Sequence, residues 1–128
     1  MTRTERTIRA EAGKTIVIAG PASFELLEGE ANILGAPLDP TRIVVTRGKQ
    51  TPIEIVSESS LRIHLGGEAH VEELEGSTIP LSWREAASAL AELEEGTAVV
   101  IGGADSGKTT LCTFLSNVLV REWRRVAI

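Results

Sequence analysis

The stretch Thr97-Ala98-Val99-Val100-Ile101-Gly102-Gly103-Ala104-Asp105-Ser106-Gly107-Lys108-Thr109 decides how the rest of this sequence is interpreted. An apolar run that predicts a β-strand leads into the pattern G-x-x-x-x-G-K-[ST], and a helical pattern follows. The apolar positions of that helical pattern are Leu111, Leu115, Val118 and Leu119. A strand, a glycine-rich loop and a helix in this order are the setting of a Walker A motif, or P-loop. Residues 97–128 are therefore predicted to begin a P-loop α/β domain.

The spacing within the motif follows from the chemistry of phosphate binding. Glycines let consecutive backbone N–H groups turn toward one point, and the start of a helix adds free N–H groups and a favourable dipole. In this pattern Lys108 reaches the β- and γ-phosphates as the catalytic lysine, and the Thr109 hydroxyl binds Mg²⁺. The predicted phosphate-binding residues are Gly102, Gly103, Ala104, Asp105, Ser106, Gly107, Lys108, Thr109 and Thr110. A dinucleotide-binding G-x-G-x-x-G pattern is not met, because it requires glycine at position 104.

Composition limits the remaining function classes. The 128 residues carry a net charge of −5, which argues against a broad basic surface for nucleic acid. The aromatic residues Phe24, Trp83, Phe114 and Trp123 are too few for a base-stacking platform. No apolar run approaches the roughly 20 residues of a membrane-spanning helix, and no signal-peptide pattern opens the chain. We therefore expect no membrane association and a cytoplasmic location, or a nuclear one in a eukaryote.

The first part of the sequence, residues 1–78, predicts an all-β domain. From Thr4 to about Gly76, short alternating runs are separated by turn residues, which indicates seven or eight strands in a sandwich or small barrel. The spacing suggests hairpins between successive strands. His64 and His70 have no neighbouring ligand at a metal-binding spacing, so both are expected to be surface histidines.

A helix over residues 79–96 is predicted to bridge the β domain and the P-loop domain. Ser82 and Glu85 have the spacing of a capping box, and Gly96 is placed to end the helix.

Cys112 lies in the helix that is predicted after the P-loop. It is expected to be a small buried residue, and no disulfide framework exists with one cysteine. The arginines at the end of the helix after the P-loop are expected to complement the dipole of that helix. They are Arg121, Arg124 and Arg125.

The P-loop domain is predicted to be incomplete in this sequence. Residues 125–128 have the pattern of a second parallel strand, and a P-loop sheet needs several such strands. No later strand carries a Walker B acid, and Asp105 near the phosphates is expected to order the loop rather than act as a base. These observations lead us to expect the N-terminal piece of a longer enzyme.

The order of β domain, helix and P-loop resembles the polynucleotide 5′-hydroxyl kinase family, which includes archaeal RNA kinases and the kinase subunit of the pre-mRNA cleavage complex. Three stretches carry the resemblance. Gly29-Glu30-Ala31-Asn32-Ile33-Leu34-Gly35-Ala36-Pro37-Leu38 resembles a short glycine-containing motif of the family's N-terminal domain, and Thr41 to Ile55 resembles the strand, lysine turn and strand that follow. Gly102 to Thr110 resembles the family's Asp-x-Gly-Lys-Ser/Thr P-loop.

The resemblance implies ATP and Mg²⁺ as cofactors and transfer of the γ-phosphate to the 5′-OH of RNA or DNA. The family's acidic residue in the first strand is matched by Glu5, and its turn lysine by Lys49, although Gly48 and Lys49 are adjacent here. The resemblance thus adds Glu5 and Lys49 to the nucleotide site. It also implies that the missing C-terminal part binds the 5′-OH end and that RNA-processing proteins are possible partners.

Three alternatives stay open on the sequence. One is an ATP-binding scaffold of an RNA-processing complex that transfers nothing. Another is a P-loop NTPase of a different kind with an unrelated β domain. The third is a β domain that serves only as an interaction module, in which case ATP leaves its stability unchanged.

Overall fold

The computed structural model describes residues 4–103, 107–122 and 125–127. In this part of the chain nine strands precede two helices. The strands are β1 Thr4–Ala10, β2 Lys14–Ala19, β3 Ala22–Glu28, β4 Ala31–Ile33, β5 Ala36–Pro37, β6 Ile43–Val45, β7 Gln50–Ile55, β8 Ser59–Leu65 and β9 His70–Glu75, and the helices are α1 Leu81–Ala91 and α2 Lys108–Arg121. Neither helix is long and apolar enough to cross a membrane, as far as the described residues go.

The strands form two antiparallel sheets. One has the order β1-β8-β3-β6 and the other the order β5-β4-β7-β2-β9. Strand β8 shows why the sheets pack face to face, because Leu61, Ile63 and Leu65 point into the core while Arg62 and His64 point outward. The prediction of an all-β sandwich is confirmed, and the sandwich is favoured over a closed barrel.

The sandwich core is built from the inward faces of both sheets. Phe24 and Ile63 of one sheet and Ile18 and Ile53 of the other are fully buried. Burial of each such side chain contributes about 1.5–3 kcal/mol relative to leaving it exposed. The whole cluster comprises Ala10, Ile16, Ile18, Ala22, Phe24, Leu26, Ala31, Val45, Ile53, Ile55, Leu61, Ile63 and Leu65.

The expected succession of hairpins is wrong. Among the described strands, β4 and β5 are the only consecutive strands that pair with each other. Strand β1 instead pairs with β8, with Ile8 opposite Leu61, and β2 pairs with both β7 and β9. Turn residues mark where the chain reverses, but most of these reversals carry the chain across to the other sheet.

An ion-pair cluster ties three separate segments together on the outer face of the first sheet. The Arg9 guanidinium lies 2.6 Å from a Glu28 carboxylate oxygen and 2.8 Å from a Glu58 carboxylate oxygen. The hydrogen bond from Arg9, followed by its charge, lowers the pKa of the Glu58 carboxyl below its ordinary value. The same partners raise the pKa of Arg9.

Contacts divide the chain into two units. The first comprises Met1–Ile33 with Pro37–Thr78, and the second comprises Leu34–Ala36 with Ile79–Ile128. In the second unit α1 packs against α2 through a small apolar cluster. Its buried members are Ile79, Ala87, Phe114 and Leu115, and Trp83, Leu90, Leu111 and Val118 pack around them.

Two features predicted around α1 are wrong. The helix begins after Pro80, which acts as the N-cap without a side-chain hydrogen bond, so Ser82 lies inside the first turn and forms no capping box with Glu85. Proline has no N–H group that needs an acceptor, and the Pro80 carbonyl oxygen accepts a hydrogen bond from the Trp83 N–H at 3.0 Å, which fits this boundary. The helix ends at Ala91, with Glu92 at its C-cap, and Gly96 lies beyond it.

The apolar segment 97–101 is not a strand in this structure, and neither is 125–127. Val99 is 76% exposed and Ile101 is 89% exposed. A strand is defined by hydrogen bonds to a neighbouring strand, and none pairs with these segments among the described residues. The strand expected from their composition therefore requires a partner strand.

Candidate functional site

The start of α2 leaves backbone N–H groups free, which is the feature that helices use to bind phosphate. Gly107 is the N-cap residue and adopts the left-handed conformation, with φ 89° and ψ 13°. Its carbonyl oxygen already accepts the first helical hydrogen bond, from the Leu111 N–H at 2.9 Å. A side chain at Gly107 would be strained by this conformation, which explains the glycine of the motif.

The N–H groups of the first turn of α2 point out of the helix toward its N-terminal end. Helix geometry gives the N–H groups of Lys108, Thr109 and Thr110 no carbonyl partner earlier in the helix. Among the described residues no side chain caps this end, and the first turn contains no acidic residue. The positive end of the helix dipole is therefore free of competing negative charge from its own first turn.

The Lys108 side chain folds back across the loop that precedes it. Its Nζ donates to the Gly102 carbonyl oxygen at 2.6 Å and to the Gly103 carbonyl oxygen at 2.8 Å. An ammonium group has three N–H donors, so one remains for a phosphate oxygen. These two bonds join the two ends of the glycine-rich loop and hold the positive charge beside the helix start.

Thr109 and Thr110 are exposed at the same end of the helix. The Thr109 hydroxyl is the predicted Mg²⁺ ligand, and its position in the first turn leaves it accessible. No group of three or more His, Cys, Asp or Glu side chains in the described ranges is arranged to hold a metal ion. Mg²⁺ in phosphate-binding sites is commonly held by few protein ligands together with phosphates and water, which fits a single hydroxyl.

Three predicted residues of the motif lie outside the described residues. They are Ala104, Asp105 and Ser106. The loop-ordering role expected of Asp105 therefore stays a prediction.

Glu5 lies near the beginning of β1 and is exposed. It stands opposite His64 of β8, which in turn stands opposite Ser23 of β3. Its carboxylate oxygen lies 3.6 Å from the Arg62 Nε, so it takes part in an exposed ion pair. The role in the nucleotide site that the resemblance implies for Glu5 stays a prediction.

Lys49 lies at the same end of the sandwich as Glu5. It closes the tight turn Thr46-Arg47-Gly48-Lys49, with its N–H donating to the Thr46 carbonyl oxygen at 3.1 Å. Its own carbonyl oxygen accepts a hydrogen bond from the Gly20 N–H at 3.0 Å, which places the turn beside the end of β2. The structure therefore brings Glu5 and Lys49 to one end of the first unit.

The expectation of two surface histidines is wrong for His64. His70 is exposed, whereas His64 is half-buried and its Nε2 has no contact with solvent. No hydrogen-bond partner for this nitrogen is found within the described part of the chain. The alternation of β8 correctly placed His64 on the outer face but could not predict that this atom is covered.

Two residues of α2 form hydrogen bonds to the same turn, which lies far away in the chain. The Asn117 Nδ2 donates to the Leu34 carbonyl oxygen at 2.9 Å, and the Arg121 guanidinium donates to the Gly35 carbonyl oxygen at 3.0 Å. The sequence predicts that Arg121 complements the helix dipole and does not predict this contact. Two features of the sequence are consistent with this contact. Asn117 and Arg121 are four residues apart on α2, and Gly35 lies within the motif Gly29 to Leu38.

Comparison with known structures adds a fold relationship. The chain is similar to Clp1p in the structure of an extended interface between Pcf11p and Clp1p, which concerns the structural basis for ATP loss in a glycine-to-arginine mutant. The TM-score is 0.68 at 16% identity, over 92% of this chain and 30% of that one. It is also similar to the wild-type Clp1p–Pcf11p complex, with a TM-score of 0.65 at 19% identity, over 89% of this chain and 29% of that one.

These similarities support the fold of the chain. The chain spans less than a third of the length of either neighbour. No protein-family model matches the chain. No curated protein matches it either.

Proposed function

We propose that this chain is the N-terminal portion of an ATP-dependent polynucleotide 5′-hydroxyl kinase related to Clp1p. The complete enzyme would transfer the γ-phosphate of ATP to the 5′-OH of RNA or DNA. The carrying observation is the pair of hydrogen bonds from the Lys108 Nζ to Gly102 and Gly103, at the start of a helix capped by left-handed Gly107. The β sandwich that precedes this loop has the fold of the corresponding part of Clp1p.

Each described residue of the loop has a defined role in the proposal. The N–H groups at the start of α2 bind phosphate oxygens, and Lys108 neutralises the negative charge that develops on the β- and γ-phosphates. The Thr109 hydroxyl binds Mg²⁺. Phosphoryl transfer depends mainly on positioning and charge neutralisation, so this constellation supplies the donor half of such an enzyme.

The acceptor half is proposed to lie in a further part of the polypeptide. The exposed apolar segment 97–101 lacks a partner strand among the described residues, and a parallel P-loop sheet would provide one. A cavity of about 910 Å³ in the second unit is lined by residues of this segment together with Leu90 of α1 and Leu115 of α2. For the 128-residue chain alone we propose weak ATP binding and no transfer.

The direct experiment is a 5′-phosphorylation assay with the longer polypeptide that contains this chain. A 5′-OH oligoribonucleotide, a 5′-OH oligodeoxynucleotide and γ-labelled ATP with Mg²⁺ are the substrates. We expect label on the 5′ end, and we expect Lys108→Ala to abolish it while Lys14→Ala, which removes a lysine of β2, retains it. Transfer that survives in Lys108→Ala would exclude the assignment.

An ATP-binding scaffold is the second candidate, and one observation favours it. Both solved neighbours are complexes of Clp1p with the protein Pcf11p. The same assay separates the two functions, because a scaffold binds ATP in a Lys108-dependent manner and labels neither oligonucleotide. Binding of RNA-processing proteins by this chain is likewise a proposal.

A further inference from the structure

The turn at Leu34–Ala36 holds α2 at two points one helical turn apart. Asn117 and Arg121 are four residues apart and lie on the same side of the helix. They donate to the carbonyl oxygens of two consecutive residues, Leu34 and Gly35, at 2.9 Å and 3.0 Å. Two bonds at consecutive carbonyls constrain both the rotation and the axial position of α2, which a single bond would not do.

The turn also fits closely against the side chains of α2. Gly35 has a φ of 81°, and a Cβ placed on it would lie 3.0 Å from the Val118 Cγ2 and 3.4 Å from the nearest Phe114 ring atoms. Leu34 has a φ of 46°, which is uncommon for a residue other than glycine. The conformation of Leu34 turns its carbonyl oxygen to Asn117, and the lack of a side chain on Gly35 lets the turn approach the helix.

We infer that Asn117 and Arg121 are positioning residues for the nucleotide site. They act through the backbone of Leu34 and Gly35, which fixes the helix whose first turn carries Lys108 and Thr109. Asn117 lies about 13 Å along the helix axis from Lys108, so neither residue touches the phosphates. This inference rests on the proposed nucleotide-binding function for its effect on affinity, but its effect on α2 itself is measurable without nucleotide.

Cys112 provides the nucleotide-independent measurement. It is the sole cysteine of the chain, lies on α2 between Lys108 and Asn117, and is half-buried. The change in its rate of reaction with a neutral thiol reagent, from the unmodified chain to a variant, reports whether the packing around α2 has loosened. A helix that is held less firmly exposes this thiol more often.

The decisive comparison is Gly35→Ala against Gly13→Ala. Both glycines have positive φ, at 81° and 91°, so alanine is strained at either position. Only Gly35 faces α2, because nothing lies within 4 Å of a Cβ placed on Gly13. We expect Gly35→Ala to raise the Cys112 reaction rate about threefold or more and to weaken ATP binding on the order of tenfold, whereas Gly13→Ala changes neither.

The hydrogen-bond donors on α2 are tested with Asn117→Leu and Arg121→Ala. Asn117→Leu removes the amide at similar size, and we expect it to increase the Cys112 rate and weaken ATP binding as Gly35→Ala does. Arg121→Lys keeps a cationic donor and should restore part of the loss in Arg121→Ala. Arg125→Ala removes an exposed arginine beyond the helix and serves as the charge-matched control.

The outcomes separate this inference from the proposed function. If the unmodified chain binds ATP and the variants at Gly35, Asn117 and Arg121 leave both the affinity and the Cys112 rate unchanged, the positioning role is wrong. If the unmodified chain does not bind ATP, the ATP binding proposed for this chain is wrong, and the Cys112 rates alone decide whether the turn fixes α2. Equal changes in Gly13→Ala and Gly35→Ala would also overturn the inference, because strain without contact would then suffice.

Discussion

The Lys108 Nζ lies 2.6 Å from the carbonyl oxygen of Gly102, six residues earlier in the chain. This hydrogen bond spans the glycine-rich loop and places a positive charge at the open end of α2. The Lys108 ammonium group therefore lies beside the free N–H groups of the first turn of α2. If this end binds ATP as proposed, donors that are already in place reduce the free energy spent on reorganisation.

The Thr109 hydroxyl is expected to give ATP binding its dependence on Mg²⁺. Thr109→Val keeps the backbone N–H and the side-chain shape but removes the oxygen that would bind the ion. We expect Mg²⁺ to enhance ATP affinity in the unmodified chain and in Thr109→Ser, and to have no effect in Thr109→Val. Thr113→Val, in the next turn of α2, is the control and should retain the enhancement.

The family resemblance predicts that Glu5 and Lys49 contribute to ATP binding. We expect Glu5→Gln and Lys49→Met each to weaken affinity about three- to tenfold, the effect of losing one polar contact. Arg62→Met is the matched control for Glu5, because it removes the ion-pair partner at 3.6 Å and leaves the carboxylate in place. Unchanged affinity in Glu5→Gln and Lys49→Met would exclude both residues from the nucleotide site.

The ion pair between Arg9 and Glu58 is expected to make stability depend on pH in the acid range. The Arg9 hydrogen bond lowers the pKa of Glu58 in the folded state below its ordinary value of 4.5. The contribution is therefore fully present above pH 4.5 and is lost as the pH falls through the lowered value. The thermal midpoints of the unmodified chain and of Glu58→Gln should differ most at neutral pH and converge on acidification.

Two further measurements test whether the ion pair causes that pH dependence. Both side chains are more than half exposed, so the difference between the two midpoints should shrink in high salt. Glu68→Gln, in the turn between β8 and β9, is the control and should show no such convergence. A difference between Glu58→Gln and the unmodified chain that is constant with pH would show that the charge is not involved.

The sandwich core is expected to account for the stability of the first unit. Ile63 is fully buried between the two sheets, so Ile63→Ala should lower the free energy of unfolding by about 2–5 kcal/mol. Val44 is 69% exposed, and Val44→Ala should cause a change of less than about 0.5 kcal/mol. Denaturant unfolding followed by circular dichroism measures both, and similar losses would contradict the described core.

The sequence predicts those elements of the molecule that depend on residues close together in the chain. Alternation in Leu61, Ile63 and Leu65 predicted a strand with one buried face, and the apolar spacing from Leu111 to Leu119 predicted a helix, which is α2. Both depend on residues within about a dozen positions of each other. Their chemistry is sufficient to define the local structure.

The parts that depend on distant residues were not predictable from those patterns. The partner of β1 is β8, and no local feature of Thr4–Ala10 identifies Ser59–Leu65 as its neighbour. The bond from Asn117 to Leu34 joins residues 83 positions apart. The strand predicted for 97–101 is absent because β pairing requires a neighbouring strand, which the segment's own sequence cannot supply.

The measurement that tests the central proposal most directly is a titration of the 128-residue chain with ATP and Mg²⁺, followed by backbone amide NMR. Weak binding is detectable in this way, and each amide reports separately. We predict that the shifts concentrate on the N–H groups of Gly107, Lys108, Thr109 and Thr110 and disappear in Lys108→Ala, while Lys14→Ala retains them. Shifts confined to other parts of the chain, or none at millimolar ATP, would contradict the proposal that this loop binds the triphosphate.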